Sequence, residues 1–460
     1  MWGIRWFVEN YLLRRWTERD VERADLFYKT HNTGADGSFA PMAYPKELFL
    51  KFVRENDGYF PVKFQALRDG TAAHIHVPIY QVTASDEYAP LCTFLETLLT
   101  HIWYATNVAT LSRRTRDLIE AAFARSVDDD KHFLVDSRLH DFGFRGATGV
   151  EAATVGGMGH LLSFRGSDTM SACYFAQFEY NGGKPVAMSV PATEHSVMTS
   201  WPSEEAAILN MIKHFGNGYF ACVLDSYDYE NCLTKVLPKI KDAKLAAGGF
   251  MTMRPDSGDP TEAVLLGLRK GEAVWGATTN SKGFKVLNGA AVIQGDGMTY
   301  DSIKGVLDQV LAAGYSAGSV LFGMGGGLLQ RHNRDTMAFA TKLSHIVYAD
   351  GTAKDIMKLP KTDAGKVSFP GILSVKSVAG VPTIFPLGDG PADAPELLVT
   401  MYDKGPVKGF QFDDFDATRA RAIATWSALP KLHNPVSAEL KAKCDRWIAD
   451  KRAFLASYGK

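Results

Sequence analysis

The stretch Phe250-Met251-Thr252-Met253-Arg254-Pro255-Asp256-Ser257-Gly258-Asp259-Pro260 carries the decision about the fold. A short, largely apolar run ends abruptly on a charged tip, and a helix start follows at once. Asp259 suits the N-cap, Pro260 the first helical position, and Glu262 the third. Strand, polar tip, helix is the unit of a parallel sheet. Working outward, the same unit recurs at Leu161–Phe164 before Arg165-Gly166-Ser167-Asp168 and at Ala187–Val190 before Pro191-Ala192-Thr193-Glu194-His195. It returns at Phe220–Leu224 before Asp225-Ser226-Tyr227-Asp228 and at Ala291–Gln294 before Gly295-Asp296-Gly297. The last is Ser319–Phe322 before Gly323-Met324-Gly325-Gly326-Gly327. Amphipathic helices fit between them, one capped by Ser203 with Ile208, Met211, Ile212 and Phe215 on its stripe. Polar tips follow nearly every strand instead of clustering at one switch point. The pattern therefore predicts a (β/α) barrel with its chemistry at the carboxyl ends, over an open doubly wound sheet.

Around this core the chain is more mixed. Glu18 to Lys29 reads as a helix, His74 to Val82 as a strand, and Pro90 to about Ala124 as a long helical pattern. The tail from about Ser427, with Lys441, Lys443 and Lys451, reads as a solvated helix. Among 460 residues, 50 basic side chains face 51 acidic ones, a net charge of −1. That balance argues against a nucleic-acid coat or a polybasic membrane binder. A hydrophobic share of 46% with 22% charged fits a folded soluble protein. The five cysteines (Cys92, Cys173, Cys222, Cys232, Cys444) are scattered, with no C-x-x-C pair, so a reducing compartment is expected. Without a signal-peptide pattern at Met1 or a run approaching ~20 apolar residues, a cytoplasmic location with no membrane partner follows.

Three motifs bear on chemistry. The run Gly323 to Gln330 follows a strand and opens a helix, so its bare backbone N–H groups could cradle a phosphate; a tight turn is the plain alternative. It is neither a dinucleotide fingerprint, because Leu328 stands at the third glycine position, nor a Walker loop. Gly314-Tyr315-Ser316-Ala317-Gly318 matches G-x-S-x-G, but in the order helix, glycine, strand, so it reads as a helix C-terminal turn. Arg254 and Asp256, two residues apart on a proline-held tip, suit a ligand with both phosphate and hydroxyls; a local ion pair is the plain alternative. His195, Asp168 and Asp225 add a proton-handling group and two carboxylates at strand ends. Together these groups suit a phosphorylated sugar whose charge Mg²⁺ offsets.

With these residues on the page, the chain resembles the nicotinamide phosphoribosyltransferase family, of the type II phosphoribosyltransferase fold. The matching segments are His140-Asp141-Phe142-Gly143-Phe144-Arg145-Gly146, Gly166-Ser167-Asp168, Ser189 to Ser196, Asp225 to Asp228, Arg254 to Gly258, Ile293 to Gly297, and Gly325 to Gln330 with Arg334-Asp335. The resemblance implies an irregular parallel (β/α) barrel plus a second α+β domain built from both chain ends. It divides the chain into 1–130, 131–339 (the catalytic barrel) and 340–460. It implies transfer of ribose 5-phosphate from phosphoribosyl pyrophosphate to nicotinamide, giving nicotinamide mononucleotide and pyrophosphate. Phe142 would stack on the pyridine, Asp168 would accept from the carboxamide NH₂, and Ser189 would be a further substrate-binding residue. Arg145, Arg254 and His195 would hold pyrophosphate, Asp256 would meet the ribose hydroxyls, and Asp225 would lie near Mg²⁺. Gly295, Asp296, Gly325 and Gly326 would surround the 5′-phosphate, with Arg334 and Lys366 closing in. ATP would be an optional coupling substrate through a phosphorylated His195, and the protein would be a homodimer with shared active sites.

The resemblance departs in two places: the tail from about Ser427 carries no family motif, and the family's Asp-Ser-Tyr-Lys segment, whose tyrosine stacks on the far side of the pyridine, is not seen before Gly3, so either Met1 is an internal methionine of a longer product or that stacking face is missing. Losing one stacking face would remove about 1 kcal/mol of ring binding. Two alternatives follow. One is the nicotinate-specific relative, disfavoured because Asp168 would repel a carboxylate; the other is a catalytically silent homologue that binds ligands on the same scaffold. A Schiff-base aldolase comes last, since no lysine stands at a strand tip.

Overall fold

A computed structural model of the protein describes residues 1–359 and 367–457. The chain divides into two compact units. One holds residues 104–333 and 414–419; the other holds 1–103, 334–413 and 420–460. The first boundary thus falls at 103/104, where the sequence reading puts it at 130/131. The reason is the helix α1 (Ile102–Ser126), whose Val108, Ile119, Ala122 and Phe123 belong to the hydrophobic core of the first unit.

The first unit is built on five parallel strands: β1 (Leu139–Asp141), β2 (Tyr219–Val223), β3 (Phe250–Arg254), β4 (Ala290–Gln294) and β5 (Val320–Met324). Their order is β1-β5-β4-β3-β2. Two irregular segments carry the ladder round from β1 to β2. Asp141 pairs with Ser167, Gly166 with Met188, and Ala192 with Ala221, all parallel. Backbone hydrogen bonds accompany each step: Asp168 N–H to Asp141 O at 2.9 Å, Met188 N–H to Arg165 O at 2.8 Å, and Ala221 N–H to Pro191 O at 2.9 Å. The barrel therefore closes through five regular strands and two single-bridge segments.

Helices cover the barrel as the sequence pattern requires. After α2 (Val150–Leu161) and α3 (Met170–Phe178) come α4 (Glu204–Phe215), α5 (Leu237–Ala247), α6 (Pro260–Trp275) and α7 (Tyr300–Ala312). The Ser203 hydroxyl caps α4 through Ala206 N–H, and Asp259 caps α6 through Thr261 and Glu262. Ile303, Val306, Leu307, Val310 and Leu311 of α7 are buried on one stripe.

Several expectations are corrected. Leu161–Phe164 is not a strand: α2, apolar on almost every side and buried, runs to Leu161, and Phe164 packs in the core behind it. The run Leu139–Asp141, not read as a strand from the sequence, pairs with β5. His74–Val82 is strand only from Tyr80 to Thr83, because Pro78 has no N–H for the ladder and His76 has φ 74°. The long helical pattern is two helices, Leu91–Thr100 and α1, parted at His101.

In the second unit, Lys63–Ala66 lies between Tyr80–Thr83 and Val399–Asp403 in an antiparallel sheet that joins early and late parts of the chain. A second core of Leu67, Val375, Ile384, Leu398 and Leu440 includes one residue of the final helix, Ala438–Ser457. Among the described residues no helix is long and apolar enough to cross a membrane.

Candidate active site

The strand ends of the barrel gather the candidate residues at one mouth. Phe142 follows β1 on a tight turn, in which the Asp141 Oδ1 accepts from Gly143 N–H at 2.7 Å and Phe142 N–H donates to Met324 O at 3.1 Å. Its ring lies where side chains from two other strand tips would otherwise stand. A Cβ on Gly323 would sit 2.1 Å from the Phe142 ring, and one on Gly295 would sit 2.9 Å from it. The Arg254 guanidinium is 5.4 Å from the centre of the same ring, within cation–π range.

Asp168 stands on the adjacent bridge segment, near Phe142. Its Oδ1 accepts from the Ser189 hydroxyl, and its Oδ2 lies 3.4 Å from His140 Nδ1. Burial pushes this carboxyl up, but the contacts with His140, Ser189 and Arg254 together hold it below the usual carboxylate range. It is therefore an ionised acceptor at neutral pH. His140 itself is buried, and Gly166 leaves the room for it: a Cβ there would meet His140 Cδ2 at 2.6 Å.

A second cluster spans the tips after β2 and β3. His195 opens the short helix His195–Ser200, with Nε2 3.0 Å from Asp225 Oδ1 and Nδ1 3.8 Å from Asp256 Oδ2. Asp225 Oδ2 accepts from Ser257 Oγ and, at 3.0 Å, from Asp256 N–H. Burial raises its carboxyl, and the donors Ser257, His195 and Asp256 more than reverse that, for a net shift down. Arg254 Nη2 donates to Asp256 Oδ1 at 2.7 Å while its buried Nε has no partner. Glu194, to which the sequence reading gave no role, is 4.0 Å from Arg254 Nη1.

The glycine tips complete the mouth. Gly295 and Asp296 follow β4, with Asp296 N–H donating to Gln294 Oε1 at 3.0 Å. Gly325 and Gly326 follow β5, and Gly326 begins the helix Gly326–Leu329, whose first N–H groups have no internal acceptor. No atom lies within 4 Å of a Cβ position on Gly326, so open space adjoins that backbone. Arg145 is exposed in the turn Phe144–Gly146, whose Gly146 approaches Gly326. Of the remaining predicted residues, Arg334 belongs to the other unit, where it pairs with Asp335 at 3.1 Å, and Lys366 lies outside the described residues.

To His140 and Ser257 sequence reasoning gave no role, and Gly323 it read only as part of a phosphate cradle. For His140 a signal existed: it lies two residues before Phe142, so both side chains take the same face of β1.

The pattern that defines the nicotinate phosphoribosyltransferase (NAPRTase) family matches residues 137–389, more than half of the chain. The chain belongs to this family. Its curated relatives include a nicotinamide phosphoribosyltransferase of Xanthomonas campestris pv. campestris, 36% identical over 380 residues, covering 81% of this chain and 78% of the relative. Another, from Acinetobacter baylyi, is 28% identical over 433 residues, covering 88% and 84%. A third, from Mycoplasma pneumoniae, is 32% identical over 331 residues, covering 67% and 70%. The family match begins two residues before β1 and takes in every strand of the barrel.

Proposed function

We propose that the protein transfers the 5-phosphoribosyl group of phosphoribosyl pyrophosphate to the ring nitrogen of nicotinamide, releasing pyrophosphate, as a step of NAD salvage. The observation that carries the choice of base is Asp168, held as an acceptor by Ser189 and His140 beside the Phe142 ring. An amide NH₂ satisfies that carboxylate, whereas the carboxylate of nicotinate would face a like charge. The names of the relatives support the same choice.

In this reading the C1–O bond to pyrophosphate weakens as the ribose gains cationic character, and the nicotinamide nitrogen bonds to C1. Arg254 and Arg145 bind the departing diphosphate, Asp256 accepts from ribose hydroxyls, and the N–H groups at Gly325 and Gly326 with the Gly295-Asp296 tip receive the 5′-phosphate. Positioning and electrostatics are the main catalytic devices, since no strong base is needed. Among the described residues no three His, Cys, Asp or Glu side chains are arranged to hold a metal. Both oxygens of Asp225 already accept hydrogen bonds. These residues fit a Mg²⁺ that arrives on the diphosphate and takes one carboxylate contact, not a metal caged by protein alone. When bound, Mg²⁺ supplies positive charge against the leaving group.

The reading includes ATP as an optional coupling substrate. His195 Nε2 faces Asp225 closely, which leaves Nδ1, 3.8 Å from Asp256, as the nitrogen open to a phosphoryl group. It also includes a homodimer: Met170, Tyr174 and Phe178 are exposed along one side of α3, an apolar face that a second copy would cover. A cytoplasmic setting accords with the five free thiols.

Purified protein with Mg²⁺, phosphoribosyl pyrophosphate and either pyridine tests the proposal. Mononucleotide and pyrophosphate should form in equal amounts from nicotinamide, with nicotinate at least 10-fold poorer in kcat/KM. Product from nicotinate alone would overturn the choice of base, and product from neither would favour a silent binding protein. Asp168→Asn removes the charge, and discrimination against nicotinate should then shrink by about 10-fold or more. An unaltered ratio of the two kcat/KM values would count against the contact.

A further inference from the structure

The carboxylate of Asp168 does not hold itself in place. Three observations concern the imidazole beside it. First, the ladder pairing of Asp141 with Ser167, with Asp168 N–H on Asp141 O at 2.9 Å, fixes the Asp168 backbone against β1. Second, His140 Nδ1 lies 3.4 Å from Asp168 Oδ2, while Ser189 occupies the other oxygen. Third, the imidazole is buried and its position is shaped for it: the Gly166 backbone approaches so closely that any Cβ would overlap the ring, and Phe142 lies edge-on at 6.2 Å. A ring confined in this way aims one nitrogen at one oxygen.

From this we infer that His140 is a specificity-determining positioning residue, which keeps Asp168 a correctly turned acceptor and thereby sets the preference for a pyridine carboxamide over a pyridine carboxylate. The inference rests on the nicotinamide reading above and deepens it. Its physical content is a competition. Burial alone drives the Asp168 carboxyl toward its protonated form, and the His140 contact is the foremost influence opposing it, ahead of Ser189 and Arg254. Asp141 and the Cys173 thiol also face this region, and neither supplies a positive charge. Without the imidazole, Asp168 Oδ2 would lose the contact that turns it, and nicotinamide would lose its fixed acceptor, while nicotinate would gain no partner in its place.

The test compares two bases of nearly equal shape, so damage to the fold would lower both rates alike and leave their ratio unmoved. Wild type, His140→Ala and His140→Asn are each assayed at pH 7 with nicotinamide and with nicotinate. His140→Ala should lower the kcat/KM ratio of nicotinamide to nicotinate at least 10-fold. His140→Asn, whose amide N–H can reach toward Asp168 as the ring nitrogen does, should recover most of that ratio. If both variants lose activity on the two bases equally, at the wild-type ratio, His140 is merely structural and the inference is overturned. The same holds if Asn behaves as Ala does. Should His140→Ala fail to fold, His140→Asn and His140→Leu still decide: a ratio kept near that of wild type in His140→Asn and lost in His140→Leu, which has no donor, supports the inference, and any other outcome overturns it. Wild type inactive on both pyridines overturns the function itself and this inference with it, an outcome distinct from an unchanged ratio.

Discussion

Gly323→Ala is expected to lower kcat/KM for nicotinamide by about 100-fold or more while leaving the KM for phosphoribosyl pyrophosphate close to that of wild type. The new methyl carbon would stand 2.1 Å from Phe142 Cε2 and 2.8 Å from Cζ. No rotation of a few tenths of an ångström relieves an overlap of that size. Phe142 cannot back away easily, because its backbone is tied to Met324 O and the next residue, Gly143, is tied to Asp141. Gly143 also has Leu329 against it, at 2.6 Å from a Cβ position. The ring must therefore swing into the space where the base would stack. Overpacking of a buried site costs about 1–3 kcal/mol of stability, so some loss of Tm accompanies the kinetic effect. Gly326→Ala is the companion. Its Cβ meets nothing of the protein within 4 Å, so folding and base binding should be spared. Since that open space is where the 5′-phosphate is proposed to lie, the KM for phosphoribosyl pyrophosphate should rise several-fold. Steady-state kinetics with each substrate varied in turn, plus thermal melts, check both variants. Equal effects of the two alanines on both substrates would refute the division of labour along this glycine run.

That division was not readable in advance. The run from Gly323 suggested a phosphate cradle as a whole, because glycine spacing alone does not say which missing side chain makes room for a ligand and which for a neighbour. In three dimensions Gly323 makes room for the Phe142 ring, a Cβ on Gly327 would stand 2.2 Å from Met298 O, one on Gly325 would touch Phe142 O at 3.4 Å, and Gly326 adjoins open space. What sequence could give was the tips. Arg254, Asp256, Asp225 and His195 converge because each ends a parallel strand or bridge segment of one barrel, and a proline or a capped helix start marked that end. The weak members of the ring were misjudged for a definite reason. Residues 165–168 and 188–192 each hold their neighbours through single bridges imposed by closure, so the apolar run read at Ala187–Val190 is only a bridge and the one read at Leu161–Phe164 belongs to the end of α2 and the loop after it. Leu139–Asp141 is only three residues long, too short for periodicity to register. The boundary between the units was misplaced because α1 is a continuous helix whose amphipathic pattern does not reveal which unit it covers.

The second large effect concerns the residue that carries Phe142. Asp141 is fully buried on the helix side of β1. Its Oδ1 accepts from Gly143, and its Oδ2 has no hydrogen-bond partner. The buried Thr169 hydroxyl faces the same carboxylate and lowers its pKa without offsetting burial, and a Cβ on Gly157 would stand 3.0 Å from Oδ2 and 3.3 Å from the Thr169 methyl. The groups facing it from the surrounding elements are the Tyr104 hydroxyl, the Cys173 thiol and the Asp168 carboxylate, none of them a cation. Burial, with Asp168 adding to it, pushes the Asp141 carboxyl up to about 7. An unfolded aspartate ionises near 4. Between those values the folded protein holds one proton that the unfolded chain has lost, so stability falls as pH rises from about 4 to about 7 and levels off above. Three pH units at about 1.36 kcal/mol each amount to a penalty on the order of 4 kcal/mol at pH 8. Asparagine titrates in neither state, keeps an oxygen for Gly143 N–H and offers an N–H to Thr169. Asp141→Asn should therefore be more stable than wild type at pH 8, by several degrees in Tm, with the gap closing as pH falls toward 5. Taking the difference between the two proteins at each pH cancels every other titrating group, so the slope isolates this one carboxyl. A constant difference from pH 5 to 8 would mean that Asp141 is already ionised in the folded state, and that a positive partner must balance it.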